Sequence, residues 1–248
     1  MDKDIFWKII NEVISEVDHN NQEAIIDATE EKLMKISSND IVDWHNIKAA
    51  YMDLAYRNNL WAACAATRSH YTDDGFIDFR SWLVSRGKEV YMNALNDPDT
   101  LADIDIPEGS ADFEKYGYVA CYAYAKKVAL EKEGPNSILL DYTSWIAQNS
   151  ERLLDSFEKC PLRNIDNNQR LINAYIRKLS IKYDIHDVLD KQPLCKETIA
   201  EIMSEIKLKQ DIGSDWSIHD LPKILPHLYE KYEAKQVEDI SKDIKMEQ

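Results

Sequence analysis

Apolar residues recur every three or four positions along most of this chain, and only six glycines and seven prolines interrupt its 248 residues. That spacing lines apolar side chains along one face of a helix, and scarce glycine and proline leave few points where the period must stop. The sequence therefore predicts a mostly α fold. Ile5, Phe6, Ile9, Ile10, Val13 and Val17 form a first stripe, Ile25, Thr29, Leu33 and Ile36 a second, and Ile41, Trp44, Tyr51 and Leu54 a third. Each reads as an amphipathic helix set against a shared core. Leu60 to Ala66, LWAACAA, carries small residues on nearly every side, so it is expected to lie centrally with close neighbours.

Two breaks organise the rest. In Asn96-Asp97-Pro98-Asp99, Pro98 has no amide hydrogen and biases Asp97 away from helical backbone. At Glu133-Gly134-Pro135, glycine then proline ends one helix, expected over 113–132, and starts a fresh period. The chain is divided there. Residues 1–133 are expected to form a multi-helix domain, 134–236 a second, closely docked helical part, and 237–248 a charged tail. Helices are predicted in the second part near 137–159, 166–183, 196–209 and 221–236.

Acidic residues outnumber basic ones 45 to 30, a formal net charge of −15. Such a chain repels phosphate backbones and anionic lipid surfaces, which argues against nucleic acid and membrane as partners and favours a basic protein. No basic leader with an apolar stretch and no long apolar run occurs, so a cytoplasmic protein is expected. Cys64, Cys121, Cys160 and Cys195 lie far apart without a CxxC pair and read as reduced thiols, with Cys64 and Cys121 expected to pack rather than react. The six histidines form no HxH, HxxxH or HExxH pattern, and no glycine-rich phosphate loop is present, so no metal or cofactor is predicted.

The stretch His70 to Gly87, HYTDDGFIDFRSWLVSRG, is the centre of any site. Thr72-Asp73-Asp74-Gly75 reads as a helix N-terminus in which an aspartate accepts from free amide groups two or three residues on. Phe76, Phe79 and Leu83 would form its buried face, and Gly87 would close it. One cap needs one aspartate, yet Asp73, Asp74 and Asp78 cluster beside Arg80. Close carboxylates can hold a hard cation or raise one another's pKa, and an arginine can orient an anion through paired hydrogen bonds. Glu114, just before the next helix, would face this loop, with Trp61 and Trp82 behind it and in one core with Phe76 and Phe79.

Phe6-Trp7, Asn59-Leu60-Trp61-Ala62-Ala63, Asp73 to Leu83, Gly87, and Asp97-Pro98-Asp99-Thr100-Leu101-Ala102-Asp103 together resemble an uncharacterised bacterial family, a domain of unknown function. Members of that family sometimes accompany Trp-Gly-Arg domains in proteins labelled as molybdate-metabolism regulators. The resemblance covers about residues 4–128. It implies a mostly helical domain and carries over no catalytic residue. Acidity and the lack of a catalytic signature together lead to an acidic, non-enzymatic binding module of the immunity or antitoxin type that masks a basic partner. The alternative is an enzyme or small-ligand or metal sensor using Asp73, Asp74, Arg80 and Glu114. Glu197, Glu201 and Glu205, spaced four apart, are expected to form an exposed stripe facing the partner.

Overall fold

The computed structural model describes residues 1–67, 71–107, 110–159, 166–205 and 213–233. His70, Cys160 and the tail at 237–248 lie outside the described residues, as do 206–209 and 234–236 of two expected helices. The fold is mostly α, and no strand occurs among the described residues. In chain order the helices are α1 (Lys3–Glu16), α2 (Gln22–Met34), α3 (Ser38–Leu54), α4 (Asn58–Ala66), α5 (Asp73–Ser85) and α6 (Lys88–Asn96). A 3-10 turn (Pro98–Asp103) separates these from α7 (Glu114–Glu133), α8 (Pro135–Lys159), α9 (Asn167–Lys182), α10 (His186–Leu189), α11 (Lys196–Glu205) and α12 (Leu221–Ile224). Helix resumes over 226–233. No helix among the described residues is long and apolar enough to cross a membrane.

Contacts group the chain into two units, one of residues 1–29, 46–117 and 194 onward, the other of 30–45 and 118–193. In the first, the α1 stripe buries Phe6, Ile9, Ile10 and Val13, together with Trp7, which the spacing alone did not select. Trp7 joins because Tyr51 and Tyr91 meet its ring at centroid distances of 4.7 and 5.3 Å. The Tyr91 hydroxyl donates to the Tyr51 carbonyl at 2.7 Å, so that hydroxyl is satisfied inside the aromatic cluster. Ile5 remains 45% exposed, at the edge of the stripe. Leu60, Ala62, Ala63, Cys64 and Ala66 of α4 are buried, as small side chains on all faces dictate.

The turn at Pro98 is anchored from far along the chain. Asp97 accepts from the Asp99 amide at 3.1 Å, and the buried Asp99 carboxylate accepts from Leu228 N at 2.8 Å and His227 Nδ1 at 2.7 Å. One carboxylate thus caps the helix at 226–233, a long-range pairing that local periodicity does not contain.

In the second unit, Gly134 takes φ 77° between α7 and α8, the left-handed conformation that lets the first helix stop and the next begin. Ala125, Ala129, Tyr175 and Leu179 make a buried cluster, with Ile138, Tyr142 and Trp145 packed against it. Asp141 accepts from Tyr175 at 2.8 Å and Lys178 at 2.6 Å, tying α8 to α9.

Candidate functional site

Helix α5 starts at Asp73 because Thr72, in extended backbone at φ −67° and ψ 170°, lends its Oγ1 to the Gly75 amide at 3.2 Å. This corrects the expectation that an aspartate caps the helix. The capping side chain must sit just outside the helix, and Asp73 and Asp74 are already in its first turn. Both are exposed, where their charge complements the positive helix end.

One turn on, Asp78 is half-buried. The Phe113 amide donates to the Asp78 carbonyl at 3.3 Å, which draws the chain entering α7 against α5 and sets Asp112 and Glu114 beside Asp78. The result is an acidic cluster of Asp74, Asp78, Asp112 and Glu114. Burial, then the negative charges of Asp112, Glu114 and Asp74, push the Asp78 carboxyl from its ordinary 3.8 up to about 6. All these influences act in one direction. Burial, with Asp112 and Asp78 adding, also pushes the Cys64 thiol up to about 12, so Cys64 packs and offers no thiolate at neutral pH.

The cluster therefore combines the expected Asp74, Asp78 and Glu114 with Asp112, which the motif reading missed. Its only sequence signal is the acidic run Asp112-Phe113-Glu114 at the start of α7. Asp73 stands at the helix end, and Arg80 does not join. Arg80 is buried, only 8% exposed, and donates through Nη1 to the Met52 carbonyl at 2.8 Å and through Nε to the Phe76 carbonyl at 3.3 Å. Its guanidinium lies 5.1 Å from the ring centroids of both Tyr56 and Phe76, so it is packed as part of the fold. Trp61 stacks on Phe76 at 4.8 Å and Trp82 meets Phe79 at 5.5 Å, which places both tryptophans in one aromatic row with Phe76 and Phe79.

The glutamate stripe also changes. Glu197 and Glu201 are exposed, but Glu205 turns inward to accept from Lys3 at 2.6 Å, Lys88 at 2.8 Å and Tyr51 at 3.0 Å. Two ammonium groups and a phenol around one carboxylate make a structural clamp, because a half-hidden charge is tolerated where its partners converge.

Chemically, a carboxyl titrating near 6 can exchange a proton near neutrality, and clustered carboxylates attract a cationic group. Among the described residues no group of three histidine, cysteine or acidic side chains is arranged to hold a metal ion. No curated protein and no solved structure matches the chain. The model of the family described as "Protein of unknown function (DUF4240)" matches residues 1–126, a span that includes α5 and all four carboxylates of the cluster, and the chain belongs to that family.

Proposed function

We propose that this is a bacterial, cytoplasmic, non-enzymatic binding module of the immunity or antitoxin type, whose acidic cluster receives basic side chains of a protein partner. The observation that carries the reading is Asp78, on which every neighbouring charge named is negative and whose carboxyl is raised to about 6. A lysine or arginine brought between Asp78, Asp112 and Glu114 relieves that repulsion and so favours the bound state. The net charge of −15 acts at longer range and steers a basic partner towards the surface.

The experiment is affinity capture from the source cell, read by mass spectrometry, followed by binding kinetics with the recovered protein. A basic partner whose association rate falls as salt rises, and whose complex weakens by about 1–3 kcal/mol when Asp78→Asn and Glu114→Gln are combined, supports the reading. A partner whose binding ignores both changes removes the cluster from the interface. The same raised carboxyl favours a second reading, an enzyme or small-ligand sensor in which Asp78 acts as acid or base. That reading requires a turnover or ligand-binding signal that tracks a titration near pH 6 and vanishes with Asp78→Asn.

A further inference from the structure

A cavity of about 700 Å³ opens where the C-terminal end of α1 meets the α5–α6 junction and the chain leaving the 3-10 turn. Its size falls inside the roughly 300–1,000 Å³ range of small-ligand sites. The junction is fixed tightly: Gly87 takes φ 91°, and a Cβ there would meet Ile14 Cδ1 at 2.6 Å and Asn11 Oδ1 at 2.8 Å. That close approach holds Arg86, the preceding residue, in the cavity wall.

Arg86 is only 8% exposed. Its guanidinium donates to the His19 carbonyl and, through Nε at 3.2 Å and Nη2 at 3.0 Å, to Ser85 Oγ, and it packs 5.4 Å from the Trp82 ring. These partners are neutral, and among the described residues no carboxylate pairs with it. Burying a guanidinium without an anion is costly, and its fork retains N–H donors suited to a carboxylate. Three carboxylates do line the same cavity, Asp18, Glu89 and Asp105, but all three residues are exposed, whereas Arg86 is buried. The remaining wall includes the apolar side chains Ile14, Val17, Val90 and Ile104.

A buried cation, three exposed acids and four apolar side chains lining one cavity describe a ligand with three matching parts. We infer that the cavity binds a free α-amino acid with an apolar side chain, its carboxylate on Arg86, its ammonium towards Asp18, Glu89 and Asp105, and its side chain against Ile14, Val17, Val90 and Ile104. A phosphate would satisfy Arg86 but meet three carboxylates lining the same cavity, and an amine alone would leave the guanidinium unanswered. This site is separate from the acidic cluster on α5 and goes beyond the partner-binding reading.

The test is isothermal titration of the full chain with L-leucine and L-phenylalanine, against 4-methylpentanoate, isoamylamine and inorganic phosphate. The inference expects one of the amino acids to bind with a dissociation constant of about 1 mM or tighter, and each comparison compound to bind about tenfold more weakly or not at all. Arg86→Lys, which keeps the charge and loses the fork, should weaken the amino acid about tenfold or more. Should that variant misfold, Asp18→Asn combined with Glu89→Gln changes only exposed residues, and should weaken the amino acid while leaving 4-methylpentanoate unaffected. No binding of either amino acid at about 10 mM, phosphate binding as tightly as the amino acids, or unchanged affinity in the double variant would each overturn the inference.

Discussion

Replacing Asp78 by asparagine should stabilise the protein, and only where the carboxylate would be charged. The carboxyl moves from 3.8 to about 6 on folding, because burial and the charges on Asp112, Glu114 and Asp74 all disfavour its ionised form. Each unit of such a shift corresponds to about 1.4 kcal/mol, so two units bound the effect at about 3 kcal/mol. Asp78 is only half-buried, and solvent screening reduces the expected gain to about 1–2 kcal/mol. The sign follows from which state holds the proton. Below 3.8 the carboxyl is neutral in both folded and unfolded chains, and no penalty exists. Between 3.8 and 6 the unfolded chain ionises while the folded one keeps its proton, so stability falls as pH rises, and above 6 the full penalty stands. Urea denaturation of wild type and Asp78→Asn at about pH 4 and about pH 8 reads this directly as a midpoint shift. The variant should gain at the higher pH and gain little at the lower. An equal gain at both, or none at pH 8, would refute the electrostatic argument, since packing changes do not titrate.

Further substitutions separate cap, turn, core and clamp. Thr72→Ala should cost about 0.5–2 kcal/mol in thermal or urea unfolding and be restored by Thr72→Asn, whereas Asp73→Ala or Asp74→Ala should cost only about 0.3–1 kcal/mol. Gly87→Ala should cost well over about 1 kcal/mol, because its φ of 91° strains any Cβ and Ile14 stands 2.6 Å away. Phe79→Ala, which removes a fully buried ring between Phe76 and Trp82, should cost about 3–5 kcal/mol. At Glu205, burial opposes ionisation, but hydrogen bonds from Lys3, Lys88 and Tyr51 win and hold its pKa below the usual value. Its stabilisation is therefore present above that value and lost as pH falls through the lowered one, and Glu205→Gln should cost about 1–3 kcal/mol at neutral pH and progressively less in acid.

Helix positions were largely legible because each depends on local spacing. The α1 stripe, the small-residue α4, the break at Gly134-Pro135 and the α5 face of Phe76, Phe79 and Leu83 all follow from residues within a turn or two of one another. The helix start at Asp73 was legible too, but the choice of Thr72 over Asp73 and Asp74 was not, since threonine and aspartate side chains both accept the same hydrogen bond. What failed depends on residues distant in sequence. Glu205 sits on a stripe that spacing marks as solvated, and only the approach of Lys3 and Lys88 turns it inward. Asp112 acquires a role only because the Phe113 amide meets α5, and Asp99 only because the chain returns at Leu228. Arg80 beside three aspartates looks like part of their site, yet it follows Asp78 by two residues, about 200° round the helix, and the face it shares with Phe76 one turn back is aromatic.

The measurement that bears most directly on partner binding through the acidic cluster is proton release on complex formation. With the recovered partner, calorimetry at about pH 6 in two buffers of different ionisation enthalpy counts the protons exchanged. Asp78 is about half protonated there, and a basic side chain entering the cluster pulls its pKa back towards 3.8. Wild type should therefore release about half a proton per complex, and Asp78→Asn should release none from this source. Binding with no net proton release, or with the same release from both proteins, would contradict the account.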